Sequence, residues 1–188
     1  MAAKVDIFNA ALIELGAELV TDPLQGSEAA QICNARFDAV RDAVLRAHPW
    51  NCALVRVELP SGGGAPAFGF ARQFTLPNDP YALRVHRVVP GTIVYRVERR
   101  KILTDAAAPL QVLYIGRITD TEQYDALLVE ALAARLAAAV AFRLTDSRPK
   151  ERDMWDLYQA KLAEARSIDA QEGTPEELEA DGLIDVRA

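Results

Sequence analysis

The stretch Arg41–Leu59, RDAVLRAHPWNCALVRVEL, passes from a helical to a strand pattern around one proline. Proline lacks an N–H and disfavours the helical conformation of the residue before it, so a helix running from Arg41 must end near His48. After Pro49 the residues alternate, with Leu54, Arg56 and Glu58 on one side and Val55, Val57 and Leu59 on the other. Such alternation is typical of a strand with two unlike faces. The stretch therefore predicts a helix that turns a corner into a strand, with Asn51 and Cys52 at the start of that strand.

The corner holds a histidine, a tryptophan and a cysteine within His48–Cys52, which could form a metal site, a catalytic pair or a binding platform. A zinc site needs about four ligands, and His48 and Cys52 supply only part of that set. A nucleophilic pair needs a third group that orients the base, and the sequence suggests none. We interpret Pro49 and Trp50 as a structural corner, because Trp50 is large enough to fill a junction between helices and sheet.

Two helices precede the corner. The first is predicted over Val5–Leu15, with Gly16 as its stop signal. The second begins after Ser27, a plausible N-cap, and ends near His48. Its apolar stripe comprises Cys33, Phe37, Val40 and Val44, which leaves Arg36, Arg41 and Arg46 to face outward.

The region from Cys52 to Arg117 predicts five or six short strands. The strands pair antiparallel, because no crossover helix separates them. The run ERRK, Glu98–Lys101, is expected to be a hairpin turn.

Two more helices follow the strands. The third is predicted from an N-cap at Thr119 or Asp120 to about Leu144, and its alanine-rich sequence is apolar on more than one side. The fourth starts near Ser147, with an apolar stripe of Trp155, Tyr158, Leu162 and Ala165. The predicted fold is α+β: an antiparallel bundle of about four helices, with an inserted small antiparallel β domain and an extended C-terminal tail. The predicted divisions are 1–51, 52–118, 119–170 and 171–188, for the first helix pair, the β domain, the second helix pair and the tail.

Charge is distributed unevenly along the chain. The net charge is −6, and the segment Ser167–Ala188 alone gives −7 + 1 = −6, from seven carboxylates and Arg187. The predicted β domain instead carries a basic cluster of Arg96, Arg99, Arg100 and Lys101. This asymmetry is typical of an interaction tail, although an acidic tail without a partner is the plainer alternative. The basic strands could bind nucleic acid or meet an acidic neighbour.

Signals for chemistry are sparse. SGGG, Ser61–Gly64, lacks the lysine and the helix start that a phosphate-binding loop needs, and there is no dinucleotide fingerprint. The most apolar segment, Ala126–Phe142, includes Glu130 and Arg135 and is shorter than the roughly 20 residues that span a membrane. The two cysteines are interpreted as free thiols in a reducing cytosol. We therefore predict no enzyme, no cofactor, no metal and no membrane partner.

Several segments, taken in order, resemble one protein family. They are IFNAALIELGA, CNARFDAVRDAVLRAHPWNCALVRVEL, FTLPNDPYALRV, YRVERRKILTDA and LQVLYIGRITDTEQYDALLVEALAARLAAAVAFRLT. This set resembles the tail tubular protein A family of bacteriophages, which are head–tail adaptors or connectors, and it is similar to adaptors of gene transfer agents. The resemblance covers roughly Val5–Arg166. Two departures are Cys52, where an aromatic often follows the tryptophan, and the ERRK turn, which lacks the usual glycine.

The resemblance implies a virion protein at the head–tail junction, assembled in the bacterial host cytoplasm. Such proteins form a ring, typically a dodecamer, beneath the portal protein. The ring extends the DNA channel and docks the tail or a stopper (nozzle) protein. Its partners would therefore be the portal, the tail or stopper, other copies of itself, and genomic DNA passing through without sequence specificity.

On this basis we assign expected roles to three sets of residues. Leu128, Leu132 and Leu136 are expected to face the adjacent subunit. Leu183, Ile184 and Val186 are expected to order on the portal by strand addition or groove docking. The basic β region is expected to face the tail-side partner or the channel DNA. Alternatives are a nucleic-acid-binding regulator, another helical scaffold and a small catalytic domain.

Overall fold

The computed structural model describes residues 2–62 and 64–172, and its fold is α+β. The four helices are α1 (Lys4–Leu15), α2 (Glu28–Ala47), α3 (Ala126–Thr145) and α4 (Arg148–Asp169). The six strands are β1 (Leu54–Leu59), β2 (Arg72–Thr75), β3 (Ala82–Val89), β4 (Tyr95–Glu98), β5 (Lys101–Thr104) and β6 (Leu110–Gly116). Short 3₁₀ turns cover Asn51–Ala53, Thr121–Gln123 and Ala170–Glu172. The expected extended tail lies outside the described residues.

The ends of α1, α2 and α4 follow their sequence signals. Gly16 adopts the left-handed conformation at φ 67°, where a side chain would be strained, and so ends α1. The Ser27 hydroxyl accepts a hydrogen bond from the N–H of Ala30 at the start of α2, and His48 is extended at its end. Ser147 caps α4 in the same way. These predicted boundaries are confirmed.

The predicted start of α3 is wrong. Asp120 caps only the short 3₁₀ turn, and the helix begins six residues later, at Ala126. Asp125 is the N-cap, because its side chain accepts hydrogen bonds from Leu127 and Leu128. Both aspartates lie ahead of an apolar run, and sequence pattern alone could not choose between them.

The helices pack around α3, which contacts α1, α2 and α4. Ten residues of α3 are buried, and six of these are alanines. Their small side chains let the neighbouring helices approach α3 closely. Arg41 departs from its expected outward position, because it is only 7% exposed. It pairs with Asp38 and Asp42, both at 2.9 Å, so its charge is compensated near the surface of the bundle.

The strands form two three-stranded antiparallel sheets, ordered β1–β6–β3 and β2–β5–β4. Their inner faces share one apolar cluster, which includes Phe74, Ile102, Val112 and Tyr114. The alternation predicted for β1 is confirmed, since Val55, Val57 and Leu59 join this cluster. The strand itself starts only at Leu54, because Asn51–Ala53 form a 3₁₀ turn.

The opposite face of the first sheet meets the helices through Leu54, Leu83 and Ile115. Trp50 fills this junction with 1% of its surface exposed. Its indole N–H donates to the carbonyl of Val44 at 3.0 Å. The interpretation of Pro49 and Trp50 as a structural corner is therefore confirmed.

Candidate interaction surfaces

The corner is bound to the end of α4. The carboxylate of Asp169 lies 2.9 Å from the Nε2 atom of His48 and accepts the backbone N–H of Asn51 at 3.0 Å. The Asn51 side chain donates to the Asp169 carbonyl at 2.7 Å, and Arg166 donates to the carbonyl of Ala47 at 2.8 Å. These bonds join residues about 120 positions apart, which no local pattern indicates. They fix the point from which the chain continues beyond residue 172.

The environment of the His48 ring disfavours its protonated form. Burial lowers its pKa below the usual 6.5, and the hydrogen bond and charge of Asp169 offset this only in part. The nearby charges of Arg166 and Arg84 also lower the pKa. The neutral ring is therefore favoured at pH 7, where it binds Asp169 as a hydrogen-bonding partner.

The cysteines carry no sign of chemistry. Cys33 is buried in the helical core, which raises the pKa of its thiol to about 11. The pKa of Cys52 is also raised, mainly by desolvation. A reactive thiol needs a lowered pKa, because the thiolate is the nucleophile. Within the described part of the chain, no three His, Cys, Asp or Glu side chains are grouped so that they could hold a metal ion.

The basic β region centres on the hairpin between β4 and β5. Arg99 and Arg100 form its turn, with φ of 45° and 62°. Two successive residues of positive φ are typical of a type I′ turn, whose twist matches that of the two strands it connects. Such a turn usually contains asparagine or glycine. The predicted hairpin is confirmed, and its two arginines adopt a conformation that costs them backbone energy.

Arg100 has internal partners that offset this cost. Its guanidinium donates to the carbonyls of Pro77 at 2.7 Å and Ala82 at 3.1 Å, and to the side chain of Asn78 at 3.2 Å. It also lies 3.8 Å from the ring centre of Tyr81. Arg100 thus ties the second sheet to the loop that enters β3.

The four predicted basic residues therefore divide into two pairs. Arg100 is bound internally, and Lys101 donates to Gln73 at 3.2 Å. Arg96 and Arg99 are exposed, and the nearest carboxylate oxygen to Arg96 belongs to Glu98 at 3.9 Å. The side chains of Arg96 and Arg99 are thus the more accessible pair, whereas those of Arg100 and Lys101 are held by neutral groups of the same chain.

A groove of about 470 Å³ runs between β3 and β4, which are one edge strand from each sheet. Tyr81 and Tyr95 line it together with apolar strand residues. Its basic side chains are Arg46, Arg84 and Arg100. Arg46, at the end of α2, donates to the carbonyl of Leu83 across the junction. The groove is the part of the basic region in which arginines and aromatic rings come together.

The structure does not present Leu128, Leu132 and Leu136 to a neighbouring subunit. Each is at most 1% exposed and lies in the helical core of its own chain. The expectation was wrong because α3 packs against three helices of the same chain. These helices cover all three leucines, so none of them is available to a neighbouring subunit.

One exposed apolar surface of the bundle lies beside α4. Trp155, predicted for the core, is 43% exposed, and Met154 is buried in its place. Trp155 borders a groove of about 650 Å³ between α2, α3 and α4. Arg135 of α3 lies 4.8 Å from the Trp155 ring centre and contacts its face. We call this the Trp155 groove.

The residues expected to bind the portal, Leu183, Ile184 and Val186, lie outside the described residues. None of the helices within 2–62 and 64–172 has the length and apolar character needed to cross a bilayer. No protein-family model matches the chain, and no curated protein matches it significantly.

Proposed function

We propose that this protein is a structural head–tail adaptor of a tailed phage or phage-like particle, with no catalytic role. It forms a ring beneath the portal protein. The copy number we propose is twelve, because the family that the sequence resembles typically forms dodecamers. The ring extends the DNA channel and docks the tail or a stopper. One observation carries the proposal: the fold implied by the resemblance, a helical bundle interrupted by a small β region, is the architecture of this chain.

The architecture suits such a role physically. Ring subunits need head-to-tail contacts between two different surfaces, and a bundle with separate grooves can supply them. The junction between helices and sheets is held by Trp50 and by the bonds around Asp169, so the two parts keep a fixed relation. A rigid subunit loses little entropy when it enters a ring.

The first test is the native mass of the protein alone and mixed with its cognate portal ring. We expect the protein to add to the portal in a fixed multiple equal to the ring's copy number. A variant that lacks residues 173–188 should lose portal binding, and an unchanged unfolding transition, followed by circular dichroism, would show that it is still folded. No association between folded protein and intact portal rings would refute the adaptor function.

The C-terminal segment supplies a sharper version of this test. Replacing Leu183, Ile184 and Val186 by serine keeps every charge of the segment and removes its apolar side chains. If these three residues dock on the portal, this variant should lose portal binding as fully as the deletion does. A matched variant that changes Glu176, Glu177 and Glu179 to glutamine should retain binding. Full binding by the triple-serine variant would show that the apolar residues play no part.

A second candidate function is nucleic-acid binding, which the groove between β3 and β4 favours. Its arginines and two tyrosines combine positive charge with aromatic rings, as sites for nucleic-acid strands do. Arg84 and the exposed Arg99 are the residues to change to alanine. If single-stranded or duplex DNA is bound, its affinity should fall steeply with salt, and each substitution should reduce the salt slope by about 0.7–1. The absence of any shift in DNA mobility at low salt would dismiss this function.

A further inference from the structure

The N-terminal part of the chain combines carboxylates with exposed apolar side chains. Residues 5–35 include five carboxylates, at Asp6, Glu14, Glu18, Asp22 and Glu28, and no lysine or arginine. Large apolar side chains are exposed in the same segment: Ile13 is 63% exposed, Leu19 51% and Leu24 82%. Glu28 pairs with Arg143 at 2.9 Å, so Glu18 and Asp22 are the carboxylates nearest in sequence to the exposed Leu19 and Leu24.

Hydrogen bonds hold the backbone of this segment in place. The amide of Asn9 pairs with both backbone groups of Val20 at 2.9 Å, which folds the loop after α1 back onto that helix. Asn9 and Ile13 are one helical turn apart and so lie on the same side of α1. The backbone on either side of Leu19 therefore runs back along α1, past the turn that carries Ile13.

The far end of the loop is fixed as well. The Gln25 side chain accepts hydrogen bonds from the backbone and hydroxyl of Thr21, at 2.9 and 3.0 Å. The carboxylate of Asp22 accepts the N–H of Leu24 at 2.6 Å. We call the surface of Ile13, Glu18, Leu19, Asp22 and Leu24 the acidic patch. Because its backbone is held in advance, little entropy is lost when a partner binds.

The Trp155 groove has the complementary character. Its floor is made of small side chains, Ala39 and Ala43 of α2 and Ala138 and Ala139 of α3, so it can receive a large apolar side chain. Its volume of about 650 Å³ exceeds that of a single leucine several-fold. Phe142 continues the apolar strip one turn further along α3 and is 37% exposed.

The rim of the groove is positively charged. Arg36, Arg135 and Arg152 line it, and Arg36 and Arg152 are exposed. Of the two carboxylates there, Glu151 is bound to Arg148 at 2.7 Å, which leaves Asp156 as the remaining negative charge. A positive rim around an apolar floor matches exposed leucines flanked by carboxylates.

We propose that the acidic patch of one chain binds the Trp155 groove of a second copy, so that copies join head to tail. No residue of α1 or of the following loop lines the groove, so one chain can use both surfaces at once. Two different surfaces that bind each other form a heterologous contact, which generates rings when the rotation closes. This inference rests on the proposed ring assembly and names the surfaces that would build it.

Two variants separate the surfaces. Leu24→Asp disables the patch and retains the groove, whereas Trp155→Ala disables the groove and retains the patch. Leu24 is 82% exposed, so its substitution removes no core packing. The Trp155 ring lies 5.4 Å from that of Tyr158, so urea unfolding must first show that the Trp155→Ala chain is folded. Each variant should lose self-association, with affinity lowered at least about 10-fold. Mixed in equal amounts, the two should form a one-to-one pair that grows no further, because only one intact contact remains.

Nuclear magnetic resonance detects this contact even if it is weak. The chain has two tryptophans, so a ¹⁵N-labelled Leu24→Asp chain gives two indole signals. Titration with unlabelled Trp155→Ala chain should shift the Trp155 signal saturably, while buried Trp50 serves as the internal control. A titrant with both substitutions should cause no shift. No Trp155 shift at a concentration of about 1 mM would overturn the proposal, since even millimolar affinity would be seen.

Exposed charges give an independent check. Arg152→Glu in the labelled chain, or Glu18→Lys in the titrant, should weaken the pair several-fold, and both together should recover part of the loss.

Truncation after Glu172 should leave the Trp155 signal unchanged in the absence of titrant. A shift on truncation would assign the groove to the chain's own acidic C-terminal segment and overturn the proposal. If copies do not bind one another but the protein adds to portals, the adaptor function stands and this assignment alone is refuted.

Discussion

Substitution of Arg100 by alanine tests whether the centre of the basic β region is a structural element or a surface for partners. In the folded chain the Arg100 guanidinium donates to Pro77, Ala82 and Asn78 and stacks on Tyr81. In this partly exposed setting each hydrogen bond contributes about 0.5–1 kcal/mol, and the stacking contributes a further ~0.5–1 kcal/mol. We therefore expect Arg100→Ala to lower the free energy of unfolding by about 2–4 kcal/mol. For a chain of this length, that lowers the melting temperature by about 4–16 °C.

Arg99 supplies the matched control. It is the neighbouring residue, it has the same charge and a positive φ, and its side chain is exposed. Arg99→Ala keeps the same backbone strain and removes the same charge, so its free energy of unfolding should change by no more than about 0.5 kcal/mol. Urea unfolding followed by circular dichroism measures both variants. Equal stabilities would show that the contacts of Arg100 add nothing and that this reasoning is wrong.

Three further predictions concern the junction and α3. Trp50→Ala should cost about 3–5 kcal/mol of unfolding free energy, measured by urea titration, because it empties the fully buried corner. The protein should lose stability as pH falls below the usual histidine pKa of 6.5, because the pKa of His48 is lowered in the folded state and the unfolded chain binds the proton first. In thermal melts between pH 7.5 and 5, His48→Gln should flatten that part of the dependence, and an unchanged slope would exclude His48 as its source. Asp125→Ala should cost about 1 kcal/mol in urea unfolding and Asp120→Ala clearly less, because only the former caps a long helix; equal losses would contradict that assignment.

The sequence predicted those features of the fold that depend on local chemistry. The period change at Pro49, the glycine stop of α1 and the serine caps of α2 and α4 are each determined by residues within one turn of the boundary. The hairpin at Arg99 was predicted from its position between two strands, although neither arginine favours positive φ. Local signals suffice here because capping and turn formation are short-range effects.

The remaining features depend on contacts between distant residues. The burial of Arg41 and the exposure of Trp155 both reverse the sequence expectation, although each residue lies on a correctly predicted helix. Periodicity indicates that a helix has an apolar face, but not how wide that face is or how many neighbours cover it. Met154 and Trp155 differ by one position, and the packing of α4 on α3 determines which of them is buried. The three leucines of α3 were assigned to a subunit contact for the same reason, since the number of covering helices cannot be read from one stretch.

The position of the end of α4 bears on how the proposed contacts would fit together. Asp169 fixes that end at the corner beside β1, and α4, with its 22 residues, is about 33 Å long. The eleven residues from 173 to Leu183 can span up to about 36–40 Å when extended, so Leu183 could reach either end of the helix. Portal binding by that segment therefore requires no particular orientation of the bundle. A patch-to-groove contact does require one, because it places α1 of one copy against α2, α3 and α4 of the next. If both proposals hold, the bundle contact sets the geometry of the ring.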